Sequence, residues 1–268
     1  MWETSLQTAT SKSKYTVACA DCIEAMRQLP DNSVDMLFTD LPYGTTNCKW
    51  DTLIDLEAFW EEANRVVKKG GCKALFAQTP FDKVLGCSNL SQLRYEWIWE
   101  KTTATGHLNA KRMPMKAHEN ILIFYDALPT YNPQITHGHP RKVSTAENKR
   151  NCKKSEVYND YSPTTYDSTD RYPRDVLKGP TDKQKCRLHP TQKPVWLCEQ
   201  IVLTYTNPGD LVLDCCMGSG SIGVACLQQG RRYLGIDNDA GFVGVASKRL
   251  KATLGEAHSN ISSEQHEP

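Results

Sequence analysis

Two short apolar runs, far apart in the chain, each end at an acidic residue followed by a loop that no helix could continue. Val34-Asp35-Met36-Leu37-Phe38-Thr39 runs into Asp40-Leu41-Pro42-Tyr43-Gly44. Leu211-Val212-Leu213 runs into Asp214-Cys215-Cys216-Met217-Gly218-Ser219-Gly220-Ser221. Runs so short and so apolar read as buried strands. The flanking sequence agrees. Tyr15 to Ala20 reads as a strand, and Asp21 is placed to cap a helix opening at Cys22. Leu56 to Lys68 has helical spacing and stops at Gly70-Gly71. Strands at 72–77, 95–100 and 121–125 follow, with a helix over 81–90. Farther on, helices at 195–205, 222–229 and 241–254 alternate with strands at 211–213 and 233–236. This alternation predicts an α/β fold built as a three-layer sheet.

Between Asp126 and about Arg187 the alternation fails, and Pro, Thr, Tyr, Asn, Lys and Asp dominate. A structureless loop of that length is improbable inside a compact domain, so the stretch reads as an inserted module. The chain therefore divides into 1–125, an insertion over 126–187, 188–254, and a polar tail over 255–268 expected to fray. Formal net charge is only +1, yet residues 101–154 carry ten Lys/Arg against three Asp/Glu. That uneven spread, between the two loop-bearing halves, favours a phosphate-contacting surface.

Other classes are disfavoured. No apolar run approaches the roughly 18 residues of a membrane helix, and the Ser/Thr/Lys-rich start has no signal-peptide core. The expected setting is the cytoplasm. Eleven cysteines without regular spacing fit buried thiols better than disulfides. Cys19-x-x-Cys22 lacks a second pair at a plausible distance, so no metal is expected.

The chemistry begins at the glycine loop. Gly218-x-Gly220 after a strand lets backbone approach a ligand where side chains would block it. Asp237, after the next strand, is spaced to accept from ribose hydroxyls. Gly218 to Gly223 also fits the dinucleotide pattern G-x-G-x-x-G. However, about one helix follows Asp237, too little for a second nucleotide-binding half, and Asp214 stands where those folds usually carry an apolar residue.

Asp214-x-x-x-Gly218-x-Gly220, with Asp40-Leu41-Pro42-Tyr43 earlier in the chain, resembles the amino-methylating DNA methyltransferases. The order, catalytic loop first and cofactor loop last, is similar to their circularly permuted β group. The resemblance spans roughly 15–125 and 188–250. It implies a Rossmann-like methyltransferase fold, S-adenosylmethionine as cofactor, and double-stranded DNA as partner, with relatives that often pair as dimers. By the same resemblance, Asp40 and the Leu41 carbonyl accept the amino hydrogens of an extruded base, Pro42 shapes the loop, and Tyr43 stacks on the base. Asp21, Asp214, Gly218, Ser219, Gly220 and Asp237 would hold the cofactor. So would Thr191 and Lys193, within His189-Pro190-Thr191-Gln192-Lys193-Pro194. The insertion would read the target, with Arg141-Lys142, Lys149-Arg150 and Lys153-Lys154 on phosphates.

One position departs from the family: Leu41 stands where proline is usual. A leucine keeps the main-chain carbonyl, and Pro42 keeps it extended. The leading aspartate favours adenine N6 over cytosine N4, whose enzymes more often begin this loop with serine. Cytosine N4 stays as the alternative, followed by a DNA-binding relative without catalysis and an RNA or protein amino-methyltransferase. Trp97 and Trp99 alternate on a strand and read as core. His118-Glu119 reads either as a surface cap or as part of the cleft.

Overall fold

The computed structural model describes residues 13–44, 52–146, 165–182 and 192–264, with side chains up to 255 in the last helix. Its elements run β1 (Tyr15–Cys19), α1 (Cys22–Arg27), β2 (Val34–Thr39), α2 (Leu56–Val66), β3 (Val67–Ala77), α3 (Phe81–Ser88), β4 (Leu93–Thr105) and β5 (Lys116–Phe124). Then come β6 (Lys142–Ser144), β7 (Tyr166–Ser168), β8 (Val176–Gly179), α4 (Val195–Tyr205), β9 (Leu211–Asp214), α5 (Ser221–Gln228), β10 (Arg232–Asp237) and α6 (Ala240–Glu264).

Eight strands form one sheet in the order β1-β10-β9-β2-β3-β5-β4-β8. β1, β10, β9, β2 and β3 run parallel, β5 is antiparallel to both β3 and β4, and β8 is parallel to β4. From β9 the chain steps outward to β10, and from β2 it steps outward the other way to β3. The two central strands therefore mark the point where connectivity reverses, and a crevice opens beyond their carboxyl ends. Both loops singled out in the sequence leave from that crevice.

Side-chain alternation builds the outer layers. Leu37, Leu75, Leu213 and Ile236 pack with Ala25, Met26, Phe59 and Phe81 of α1, α2 and α3. Met36, Phe38, Phe76, Val212 and Tyr233 pack on the opposite face with Leu197, Ile201, Ala225, Ala246 and Leu250 of α4, α5 and α6. The three-layer α/β expectation holds, and Trp97 and Trp99 are both core residues.

Several boundaries differ from the sequence reading. Helix α2 ends at Val66 and β3 follows at once, so Gly70-Gly71 does not stop a helix. The pairing jumps from Val34↔Val67 to Met36↔Cys72, a bulge in β3. At Gly71 a Cβ would come within 2.5 Å of Val67 Cγ1 and 2.7 Å of the Asp35 carbonyl oxygen, so the glycine serves a close backbone approach. β4 and β5 extend to Thr105 and back to Lys116. The final helix runs on to Glu264, past the end at residue 254 read from its apolar spacing.

The chain forms two compact units, one of residues 1–132 with 175–268, the other Pro133–Arg174. The second is shorter than the insertion read from sequence, since β8 returns to the main sheet. Within it β6 and β7 pair antiparallel, Thr136 bridges Arg171, and Arg141 forks onto Asp167 at 2.7 and 2.5 Å. Lys149-Arg150 and Lys153-Lys154 lie outside the described residues.

Candidate active site

The ends of β2 and β9 are tied side by side. Thr39 Oγ1 donates to Asp214 Oδ1 at 2.9 Å, and the Tyr233 hydroxyl donates to Asp214 Oδ2 at 3.0 Å. The Cys216 amide donates to Thr39 Oγ1 at 3.2 Å. Burial pushes the Asp214 carboxyl up to about 7, although its hydrogen bonds from Thr39 and Tyr233 work the other way. With both oxygens engaged inside the protein, Asp214 shapes the loop it opens.

The glycine loop is then fixed from three sides. Gly218 and Gly220 have φ of 49° and 74°, a region that favours glycine. A Cβ on Gly220 would also lie 3.1 Å from the Ala246 Cβ of α6. The Gly218 amide donates to Asp237 Oδ2 at 2.8 Å, the Asp239 amide donates to Oδ1 at 2.9 Å, and Arg249 reaches the Ser219 carbonyl at 3.2 Å. Across the crevice, Asp21 caps α1 through Oδ1 alone, accepting from the Ile23 and Glu24 amides at 2.9 and 3.1 Å.

One cavity of about 720 Å³ is lined by Asp21, Asp40, Leu41, Pro42, Tyr43, Lys193, Asp214, Gly218, Ser219 and Asp237. All but two of the residues singled out in the sequence meet there. Gly220 sits behind the loop, and Thr191 lies outside the described residues. Leu41 is buried in the core layer of α1 to α3, so the side chain that replaces the usual proline fills space there.

The Asp40 side carries a charge cluster. Tyr43 donates its hydroxyl to Asp40 Oδ1 at 2.6 Å, and its ring stacks on Phe81 with centroids 5.1 Å apart. Lys193 Nζ lies 2.7 Å from Asp40 Oδ2 and 3.2 Å from Glu119 Oε2, while Lys101 Nζ lies 2.5 Å from Glu119 Oε1. Burial works to raise the Glu119 carboxyl, but the Lys193 and Lys101 cations outweigh it and hold the group at about 2. For Lys193 burial works to lower the ammonium, and Asp40 and Glu119 more than reverse it, leaving it well above the ordinary lysine value.

Sequence reasoning missed Thr39 and Lys101, and it left His118-Glu119 open between surface and cleft, of which Glu119 takes the cleft. A signal did exist. Lys101 falls in phase with the buried Trp97 and Trp99, and Glu119 in phase with Ile121 and Ile123, so each is a charge at an inward period-two position. Gln192 belongs to the segment 189–194. Among the described residues its buried Oε1, in a side chain that lines the cavity, finds no donor. Cys19 is exposed and Cys22 buried, unlike a ligand pair.

A central crevice joining a glycine loop to a carboxylate loop, in a sheet with one antiparallel inner strand, gives the chain the fold of a Rossmann-like methyltransferase. It belongs to the DNA methylase family, whose model matches residues 34–248. It is 29% identical over 248 residues to the type II methyltransferase M.HpaI of Haemophilus parainfluenzae, covering 87% of this chain and 73% of the relative. It is 28% identical over 252 residues to the DNA adenine methyltransferase YhdJ of Escherichia coli strain K12, covering 88% and 82%. Among solved structures, the M1.HpyAVI–SAM complex aligns with a TM-score of 0.58 at 25% identity, covering 88% of this chain and 98% of that one. The cytosine-N4-specific PvuII DNA methyltransferase aligns at 0.64 and 14%, covering 90% and 88%, a likeness of fold.

Proposed function

We propose that this chain transfers a methyl group from S-adenosylmethionine to N6 of adenine in duplex DNA, after the target base is swung out of the helix. The observation that carries the reading is Asp40, on the wall of the same cavity as Gly218 and Ser219 although some 180 residues separate them in sequence. The residues present fit the cofactor. Gly218 offers a wall without a side chain, Asp21 and Asp237 bring carboxylates to one end, and the orphaned Gln192 Oε1 is an acceptor for a ligand N–H or O–H. The volume lies within the usual range of ligand pockets, roughly 300–1,000 Å³.

Bound there, the cofactor supplies an electrophilic methyl group on a sulfonium centre. Everything else is asked of the protein. An adenine amino nitrogen is a weak nucleophile because its lone pair is delocalised into the ring. Asp40 Oδ1 and the Leu41 carbonyl, by accepting its two hydrogens, draw the nitrogen toward tetrahedral geometry and direct the lone pair at the methyl carbon. Transfer of the methyl would break its bond to sulfur and leave a neutral thioether; the methylated nitrogen must then shed one proton, and Asp40 Oδ1 is the atom placed to receive it and pass it to solvent. Tyr43 supplies the ring against which the extruded base stacks.

The leading aspartate and the adenine specificity named for YhdJ support adenine over cytosine. Mass spectrometry of nucleosides from DNA methylated in vitro tests the choice. N6-methyladenine is the expected product, and N4-methylcytosine alone would overturn it. The compact unit 133–174 is the proposed target-reading module.

A further inference from the structure

Resting on Asp40 as the acceptor of the amino group, we propose that Lys193 is the positioning residue for that carboxylate, held in place by Glu119 and Lys101. The sequence reading places Lys193 at the cofactor; it lines the shared cavity, and its Nζ lies 2.7 Å from Asp40 Oδ2. Its side chain is only 9% exposed, so the ammonium depends on protein partners. Four elements converge on it. Asp40 follows β2, Glu119 lies on β5, Lys101 lies on β4, and Lys193 itself directly precedes α4. The backbone there is well anchored. Pro194, the N-cap of α4, is itself extended, and the Val195 amide donates to Asp182 Oδ2 at 2.9 Å.

Charge counting separates positioning from mere support. Glu119 already has Lys101 at 2.5 Å, so the charge of Lys193 is matched by Asp40, with the 3.2 Å contact to Glu119 joining the two pairs. The cluster holds two cations and two anions. Asp40 is the most exposed of the four, at 22% side-chain exposure. A carboxylate otherwise turns freely about its last torsion. Lys193 pins Oδ2 and leaves Oδ1 as the working atom. In this structure Oδ1 accepts the Tyr43 hydroxyl at 2.6 Å, a neutral donor that an entering amino group can replace. Lys193 stays bound throughout that exchange.

The test uses the full chain and three variants: Lys193→Met, Lys193→Arg and the double variant Lys193→Met with Glu119→Gln. Single-turnover transfer of labelled methyl to unmethylated genomic DNA is measured beside equilibrium binding of S-adenosylhomocysteine. The double variant removes one charge of each sign, so it keeps the cluster balanced and carries the test if Lys193→Met alone does not fold. Lys193→Met is expected to slow transfer at saturating cofactor at least about 100-fold, with S-adenosylhomocysteine binding changed only a few-fold. Lys193→Arg is expected to recover part of the rate, and the double variant to stay as slow as Lys193→Met. Loss of S-adenosylhomocysteine affinity with the saturated rate intact would make Lys193 a cofactor contact and overturn the proposal. So would a folded double variant with near-normal transfer, which would make the cluster only structural. Wild-type protein that methylates no DNA would instead remove the acceptor role of Asp40, and with it the ground for this inference.

Discussion

Replacing Glu119 by Gln removes one charge from the cluster and almost no volume, which makes it a clean probe of the site's electrostatics. In the folded protein the carboxyl sits at about 2, against 4.5 when free. At about 1.4 kcal/mol for each pH unit, the ionised group contributes on the order of 3 kcal/mol to folding at neutral pH. Little of this is lost to solvent screening, because the side chain is 13% exposed. The folded value lies below the unfolded one. The contribution is therefore complete above pH ~4.5 and fades as pH falls toward ~2. By pH 3.5 about 1 kcal/mol of it has gone. The Gln variant has no such group and also leaves the two lysines facing Asp40 alone. Urea unfolding at pH 7 should show the variant less stable by roughly 3 kcal/mol, and the gap should narrow to about 2 kcal/mol at pH 3.5. A gap that is the same at both pH values would refute the claim that the Glu119 charge, rather than its packing, stabilises the cluster.

Asp214→Asn tests a second buried carboxyl, whose folded value of about 7 lies above the unfolded 3.8. Wild-type stability should fall relative to the variant as pH rises from about 4 to 8, by on the order of 4 kcal/mol, and a constant difference in urea titrations would contradict the assignment. Tyr43→Phe keeps the ring stacked on Phe81 but removes the donor that occupies Asp40 Oδ1. Its KM for DNA should stay level or fall by up to about 10-fold with kcat within a few-fold of wild type, and a rise in KM would mean that the hydroxyl itself contacts the base.

The fold was legible because buried strands leave a local mark. Val34 to Thr39 and Leu211 to Leu213 have too few polar positions for any other environment, and Asp21 marks a helix start by the bonds its short side chain makes. Gly70-Gly71 misled because the same residue type serves a helix stop and a close backbone approach, and only the Asp35 carbonyl across the bulge distinguishes them. The site was half legible. Asp40 and the glycine loop announce themselves by spacing within one segment. The meeting of Lys101 with Glu119, and of Lys193 with Asp40, depends on which strands lie side by side. In this chain β5 lies between β3 and β4, a fact carried by no local pattern.

The most direct test is Asp40→Ala in a single-turnover methyl-transfer assay, with S-adenosylhomocysteine binding measured on the same preparation. The expected result is transfer lost by at least about 100-fold while the cofactor still binds within a few-fold of wild type. Near-normal turnover would mean that the carboxylate beside the glycine loop does not hold the reacting amino group.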